Sequence, residues 1–93
     1  MKTYDIPNQY SCPHCMALHE CASNIKGHGA PQNDDFGVCF NCGELNVYVV
    51  DKNGAYSLRK PTNEDMQEAI KSGCMNSILE AQSFIKNRHA KSN

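Results

Sequence analysis

Ninety-three residues with nine Lys and Arg against ten Asp and Glu carry a formal net charge of −1 and include six cysteines, which is one domain with a thin core that a metal ion or disulfides usually reinforce. Residues 1–62 hold five basic and six acidic side chains and residues 63–93 hold four of each, so neither half offers the basic patch that duplex binding draws on. No stretch approaches the roughly 18 apolar residues of a membrane-spanning helix, and Met1-Lys2-Thr3-Tyr4-Asp5 leads into no apolar run, so the cysteines are expected as reduced thiols in the cytoplasm, not as secreted disulfides.

In chain order, Lys2 to Gln9 alternates weakly around Tyr4 and Ile6 and reads as a short edge strand that Pro7 interrupts. Cys12-Pro13-His14-Cys15 then places two thiols three positions apart on a tight turn. Met16 follows, where such a turn usually has glycine. Met16 to Ala22 alternates, with Met16, Leu18 and Ala22 on one face and His19 and Cys21 on the other, and is predicted as the first strand of a small sheet. Ser23 to Asp35 is rich in Gly, Asn, Asp and Pro and reads as a surface loop containing His28. Phe36-Gly37-Val38 leads as a short strand into the second hook, Cys39-Phe40-Asn41-Cys42, with Gly43 behind it.

Glu44 to Val50 is the clearest strand, Leu45, Val47 and Val49 alternating with Asn46, Tyr48 and Val50. Asp51-Lys52-Asn53-Gly54 supplies a tight turn, and Ala55 to Arg59 returns as its partner. After Lys60-Pro61, the segment Thr62-Asn63-Glu64-Asp65 has the form of a capping box with Thr62 as N-cap. Met66, Ala69, Ile70, Cys74, Ile78, Ala81, Phe84 and Ile85 then fall on one helical stripe. An unbroken helix over residues 62–89 would be about 42 Å long, longer than the strands it must cover. Gly73 within the pattern predicts a kink or a split.

The two hooks together present four soft ligands, the donor set of a closed tetrahedral zinc site. Cys12, Cys15, Cys39 and Cys42 are therefore the candidate ligands of one structural Zn2+. Four thiolates leave no open position for water, so hydrolytic metal chemistry is not expected and no catalytic residues are assigned. His14, His19 and Cys21 stand near the first hook without paired ligand spacing and are read as bystanders. Cys74 is read as a small buried hydrophobe. The architecture that follows is small, α+β and metal-stabilised: a zinc ribbon over residues 1–61, with two knuckles and a three-stranded antiparallel sheet, then a helical segment over 62–90 within the same domain.

The order Cys-Pro-His-Cys, a loop with Gly29-Ala30-Pro31, Val38-Cys39-Phe40-Asn41-Cys42-Gly43-Glu44, a hairpin, Leu58-Arg59-Lys60-Pro61-Thr62 and an acidic helix start resembles small zinc-ribbon proteins encoded by tailed bacteriophages. The resemblance covers residues 12 to about 70 and implies zinc binding by the four hook cysteines and a place in the host cytoplasm. It implies no particular activity. Met75 and Leu79 lie on the helix face opposite Met66 and Phe84, so the helix has more apolar surface than one small sheet covers. Met75, Leu79 and, in the loop, His28 are the candidate partner contacts, for a host or phage protein or for self-association through the helix. The expected function is a non-enzymatic interaction module; the alternative is a nucleic-acid-binding ribbon in transcription or genome handling, using Lys52, Arg59 and Lys60.

Overall fold

The computed structural model describes residues 3–23 and 29–91, so the expectation for His28 lies outside the described residues, and so does the Cys21 side chain. Five strands precede two helices: β1 (Thr3–Ser11), β2 (Leu18–Ser23), β3 (Phe36–Val38), β4 (Leu45–Val50), β5 (Tyr56–Arg59), α1 (Asn63–Lys71) and α2 (Met75–Lys91). A three-stranded antiparallel sheet has the order β3-β4-β5, as expected of the later strands. The segment predicted as the first strand of that sheet instead pairs with β1 in a separate two-stranded sheet. Each hook is thus the turn of its own hairpin, the first between β1 and β2 and the second between β3 and β4, and local pairing across a short turn takes precedence over addition to the larger sheet.

Pro7 does not end β1. Between the pairs Asp5↔Cys21 and Tyr10↔His19, residues Ile6 to Gln9 bulge out opposite Glu20 alone, and a residue without an N–H fits where the ladder is interrupted. The bulge aims the Asn8 side chain at β5. Its Nδ2 donates to the Tyr56 carbonyl at 2.8 Å, and its Oδ1 accepts from the Tyr56 N–H at 2.8 Å. One side-chain amide therefore replaces a pair of ladder bonds and covers the edge of the second sheet, where open backbone groups would otherwise remain.

The predicted alternation of β4 holds for direction but not for exposure. Leu45 and Val47 join Phe36 and Val38 against Ala69, Cys74, Ile78, Ala81 and Ile85 of the helical segment. On the other face Tyr48 packs with Tyr10 and Ala22 of the β1–β2 sheet. Both faces of β4 are buried because each is covered by a different layer. Met16 and Leu18, read as sharing a face with Ala22, are exposed while Ala22 is buried.

The N-terminus of α1 follows its sequence signal. Thr62 Oγ1 accepts from the Asp65 N–H at 3.2 Å, and Asp65 Oδ2 accepts from the Thr62 N–H at 2.7 Å. Arg59 reaches back from the end of β5 and donates to both Asp65 oxygens, at 2.5 and 3.1 Å. Its hydrogen bonds hold the Asp65 carboxyl well below the usual carboxylate range. A carboxylate whose value is depressed in the fold adds stability above the ordinary value of 3.8 and loses it only as pH falls below that. At pH 7 the contribution is complete, and Asp65→Asn is expected to lower stability by about 1 kcal/mol, the scale of a lost helix cap; urea unfolding of variant and wild type at pH 7 measures it.

The helix splits at the predicted glycine. Gly73 has φ 76°, its N–H donates to the Ile70 carbonyl at 3.3 Å, and the Cys74 N–H donates to the Ala69 carbonyl at 3.0 Å. This is a Schellman ending, with Cys74 and Ala69 both in the core beneath it. The split re-phases the stripe. Ile70 and Phe84, placed on the same stripe as the core residues, are exposed, because the three-residue β3 covers only the narrow row Cys74, Ile78, Ala81 and Ile85.

Candidate metal centre

The two hooks have the same backbone plan. In the first, the Met16 N–H donates to the Cys12 carbonyl at 2.8 Å and the Cys12 N–H donates to the Ala17 carbonyl at 3.0 Å; in the second, the Gly43 N–H donates to the Cys39 carbonyl at 2.9 Å and the Cys39 N–H to the Glu44 carbonyl at 3.0 Å. Both plans need a left-handed residue after the second cysteine. Met16 has φ 64° and Gly43 has φ 76°. The methionine side chain is 70 % exposed, so it adds little packing while its Cβ disfavours the conformation by roughly 1–2 kcal/mol. Met16→Gly is expected to raise stability by about 1 kcal/mol, allowing for the greater freedom of glycine in the unfolded chain; thermal unfolding of the metal-loaded protein checks it.

The hooks face one another and bring all four predicted ligands together. The sulfurs of Cys12, Cys15, Cys39 and Cys42 lie within 4.8 Å of one another. Cys12 and Cys42 are 3.8 Å apart across the hooks, and Cys15 and Cys39 are 3.7 Å apart. A tetrahedron with metal–sulfur bonds of about 2.3 Å has sulfur–sulfur edges of about 3.8 Å. The arrangement is therefore sized to hold one metal ion in a closed shell of four sulfurs. Cys12 and Cys39 are buried, and Cys15 and Cys42 are half-buried at the rim.

N–H groups converge on the sulfurs, as thiolates carrying negative charge require. Backbone donors come from within each hook: the His14 N–H reaches Cys12 Sγ at 3.4 Å, and the Asn41 and Cys42 N–H groups reach Cys39 Sγ at 3.3 and 3.4 Å. Side chains add a second set. Asn41 Nδ2 donates to Cys15 Sγ at 3.4 Å, Asn46 Nδ2 to Cys12 Sγ at 3.6 Å, and His19 Nε2 lies 3.4 Å from Cys39 Sγ. The Asn41 hydrogen bond lowers the Cys15 thiol to about 6, whereas burial raises Cys39 and pushes Cys42 up to about 12. Without a cation, burial keeps protons on part of this cluster; a divalent ion displaces them and holds the sulfurs as thiolates.

No family model, curated protein or solved structure matched this chain. The geometry of the site therefore carries the functional reading.

His14 Nε2 lies 3.2 Å from the Leu45 carbonyl. His19, read as a bystander, is a neighbour of the cluster, held between the rings of Tyr10 and Phe40 and kept neutral by burial. Asn41 and Asn46 were not singled out by sequence. A signal for Asn41 exists, since it occupies the position inside the hook whose amide faces the sulfurs; Asn46 has none, because its face of β4 reads as solvent-facing.

The helix residues are divided by the split. Met75 is half-buried and packs against the core. Leu79 is 53 % exposed and Phe84 is 58 % exposed, and they line a shallow groove on α2 with Asn76, Glu80 and Ser83. No helix among the described residues is long and apolar enough to cross a membrane. Of the three basic residues near the β4–β5 hairpin, Arg59 is engaged with Asp65 and with Asp34, the latter at 3.3 Å.

Proposed function

We propose that the chain is a zinc-ribbon interaction module, encoded by a bacteriophage and acting in the host cytoplasm, whose single Zn2+ is structural and whose helical face binds a host protein, with inhibition of that protein as the sharper version. The observation that carries the zinc reading is the cluster of four sulfurs within 4.8 Å of one another, with two edges of tetrahedral length. Zinc is the ion that such all-thiolate sites most often hold with no open position, and a reducing compartment keeps the thiols available. The interaction reading is supported by the closed shell, which leaves the metal no reactive position, and by two large apolar side chains, Leu79 and Phe84, exposed on the same helix.

Removing the whole of α2 would not test this, since Cys74, Ile78, Ala81 and Ile85 are part of the core. The double variant Leu79→Glu, Phe84→Glu changes only exposed positions. Tagged wild type is expected to capture one defined bacterial protein from lysate and the variant to lose it, with zinc content unchanged in both. No partner for the wild type, or equal capture by the variant, would refute the interaction reading. The nucleic-acid alternative is weakened by the ion pairs of Arg59, which leave Lys52 and Lys60 as the exposed cations of that group.

A further inference from the structure

Among the described residues Asn46 is the one polar side chain fully buried in the core, at 1 % exposure. It lies on β4, paired with Gly37 of β3. Its two amide atoms have unequal surroundings. Nδ2 donates to Cys12 Sγ at 3.6 Å, a sulfur distance, while Oδ1 has no hydrogen-bond partner. Exchanging the two atoms would set the carbonyl oxygen against the sulfur. If Cys12 is a metal-bound thiolate, that exchange places a lone pair against an anion, so the metal fixes the amide in the observed sense. The same choice leaves the carbonyl oxygen facing the interior, where an unmet acceptor is costly.

A cavity of about 10 Å³ adjoins this residue, lined by Asn46, Tyr10, His19, Gly37, Cys39 and Tyr48 among others. That volume is about the least that holds one water molecule; a buried water also needs two or more polar partners. Besides Asn46 the lining residues include Tyr10, Tyr48 and His19. Gly37 shapes the wall, because a Cβ there would lie 2.4 Å from Tyr48 Cε2, so glycine lets the Tyr48 ring close over β3.

We infer that this cavity is a binding site for one buried water, which donates to Asn46 Oδ1 and bonds onward to the polar groups of Tyr10, Tyr48 or His19. The water completes the amide and holds its N–H on Cys12, making Asn46 a positioning residue of the metal centre. The inference rests on the reading of the four cysteines as a metal site.

Nuclear Overhauser and rotating-frame spectra of the metal-loaded, nitrogen-15-labelled protein, with metal content measured on the same sample, test it. Cross-peaks from a long-lived water to the Asn46 side-chain amide and to the Gly37 or Asn46 backbone amide are the expected result. A metal-loaded chain without them overturns the water site alone; a chain that binds no metal removes the metal reading and this inference together. Two variants give a second readout. Asn46→Asp sets a carboxylate beside the Cys12 sulfur, and Asn46→Leu removes both the donor and the need for water. Asn46→Leu is expected to lose the water signal at the backbone amides, and both variants are expected to release metal to a chelator about 10-fold faster or more, the scale of outer-shell changes at metal sites. Release at the wild-type rate in both would overturn the positioning role, and if neither variant folds the wild-type spectra still decide.

Discussion

Replacing Cys39 by serine is expected to abolish cooperative unfolding at neutral pH, because the variant will not be folded. Cys39 is buried, lies 3.7 Å from Cys15, and accepts N–H donors from Asn41 and Cys42. A structural four-sulfur site contributes on the order of 10–16 kcal/mol of binding free energy at pH 7, and that is folding free energy. A domain of this size has roughly 5–15 kcal/mol of net stability. Losing the metal therefore exceeds what the apolar core supplies alone. Circular dichroism and one-dimensional proton spectra of the variant check it, and a chelator should do the same to the wild type.

Acid should act in the same direction. Metal binding needs deprotonated sulfurs, so affinity falls as pH falls and protons compete for them. The Arg59–Asp65 pair loses its contribution only below about pH 4. Acid unfolding therefore reports the metal centre before it reports the helix cap.

The second large effect is expected at Ile78, which is 1 % exposed and packs with Val47, Leu45 and Ile85 where α2 meets the sheet. Ile78→Ala removes three carbons from a site closed on both sides and should cost about 2–5 kcal/mol. Its character differs from that of the cysteine variant. The hooks close through local turns, and α2 meets the second hook at Lys86, whose chain lies across Gly43 and pairs with Glu44 at 3.6 Å, and at Ile85. Metal stoichiometry should survive in Ile78→Ala while the denaturation midpoint falls. Loss of metal together with stability would mean that the helix, and not the pair of hairpins, shapes the site.

What the sequence made legible followed from rules local to a few residues. Thiol spacing within each hook, the Asn-Gly turn, the Thr62 capping box and the glycine break all depend on neighbours along the chain, and their geometry is that of the structure. Layer assignment depends on distant segments. Nothing within Lys2 to Ser11 indicates that four residues bulge so that Asn8 can pair with Tyr56, or that the sheet formed there covers the second face of β4. That covering makes Asn46 a buried neighbour of Cys12 instead of a solvated strand residue. The helix stripe fails for a related reason. A single helical projection through Gly73 assumes one axis, and the left-handed torsion there gives two, so Ile70 and Phe84 leave the core while Met75 joins it.

One ion is expected to sit in a shell of four sulfurs and nothing else. X-ray absorption at the zinc edge, on protein purified without added metal, tests it most directly. The expected result is one zinc per chain with four sulfur neighbours at about 2.3 Å and no nitrogen or oxygen bound to the metal. A shell with a nitrogen neighbour would bring His19 or His14 in as a ligand, and an open position occupied by oxygen, or a folded chain with no bound metal, would contradict the structural role altogether.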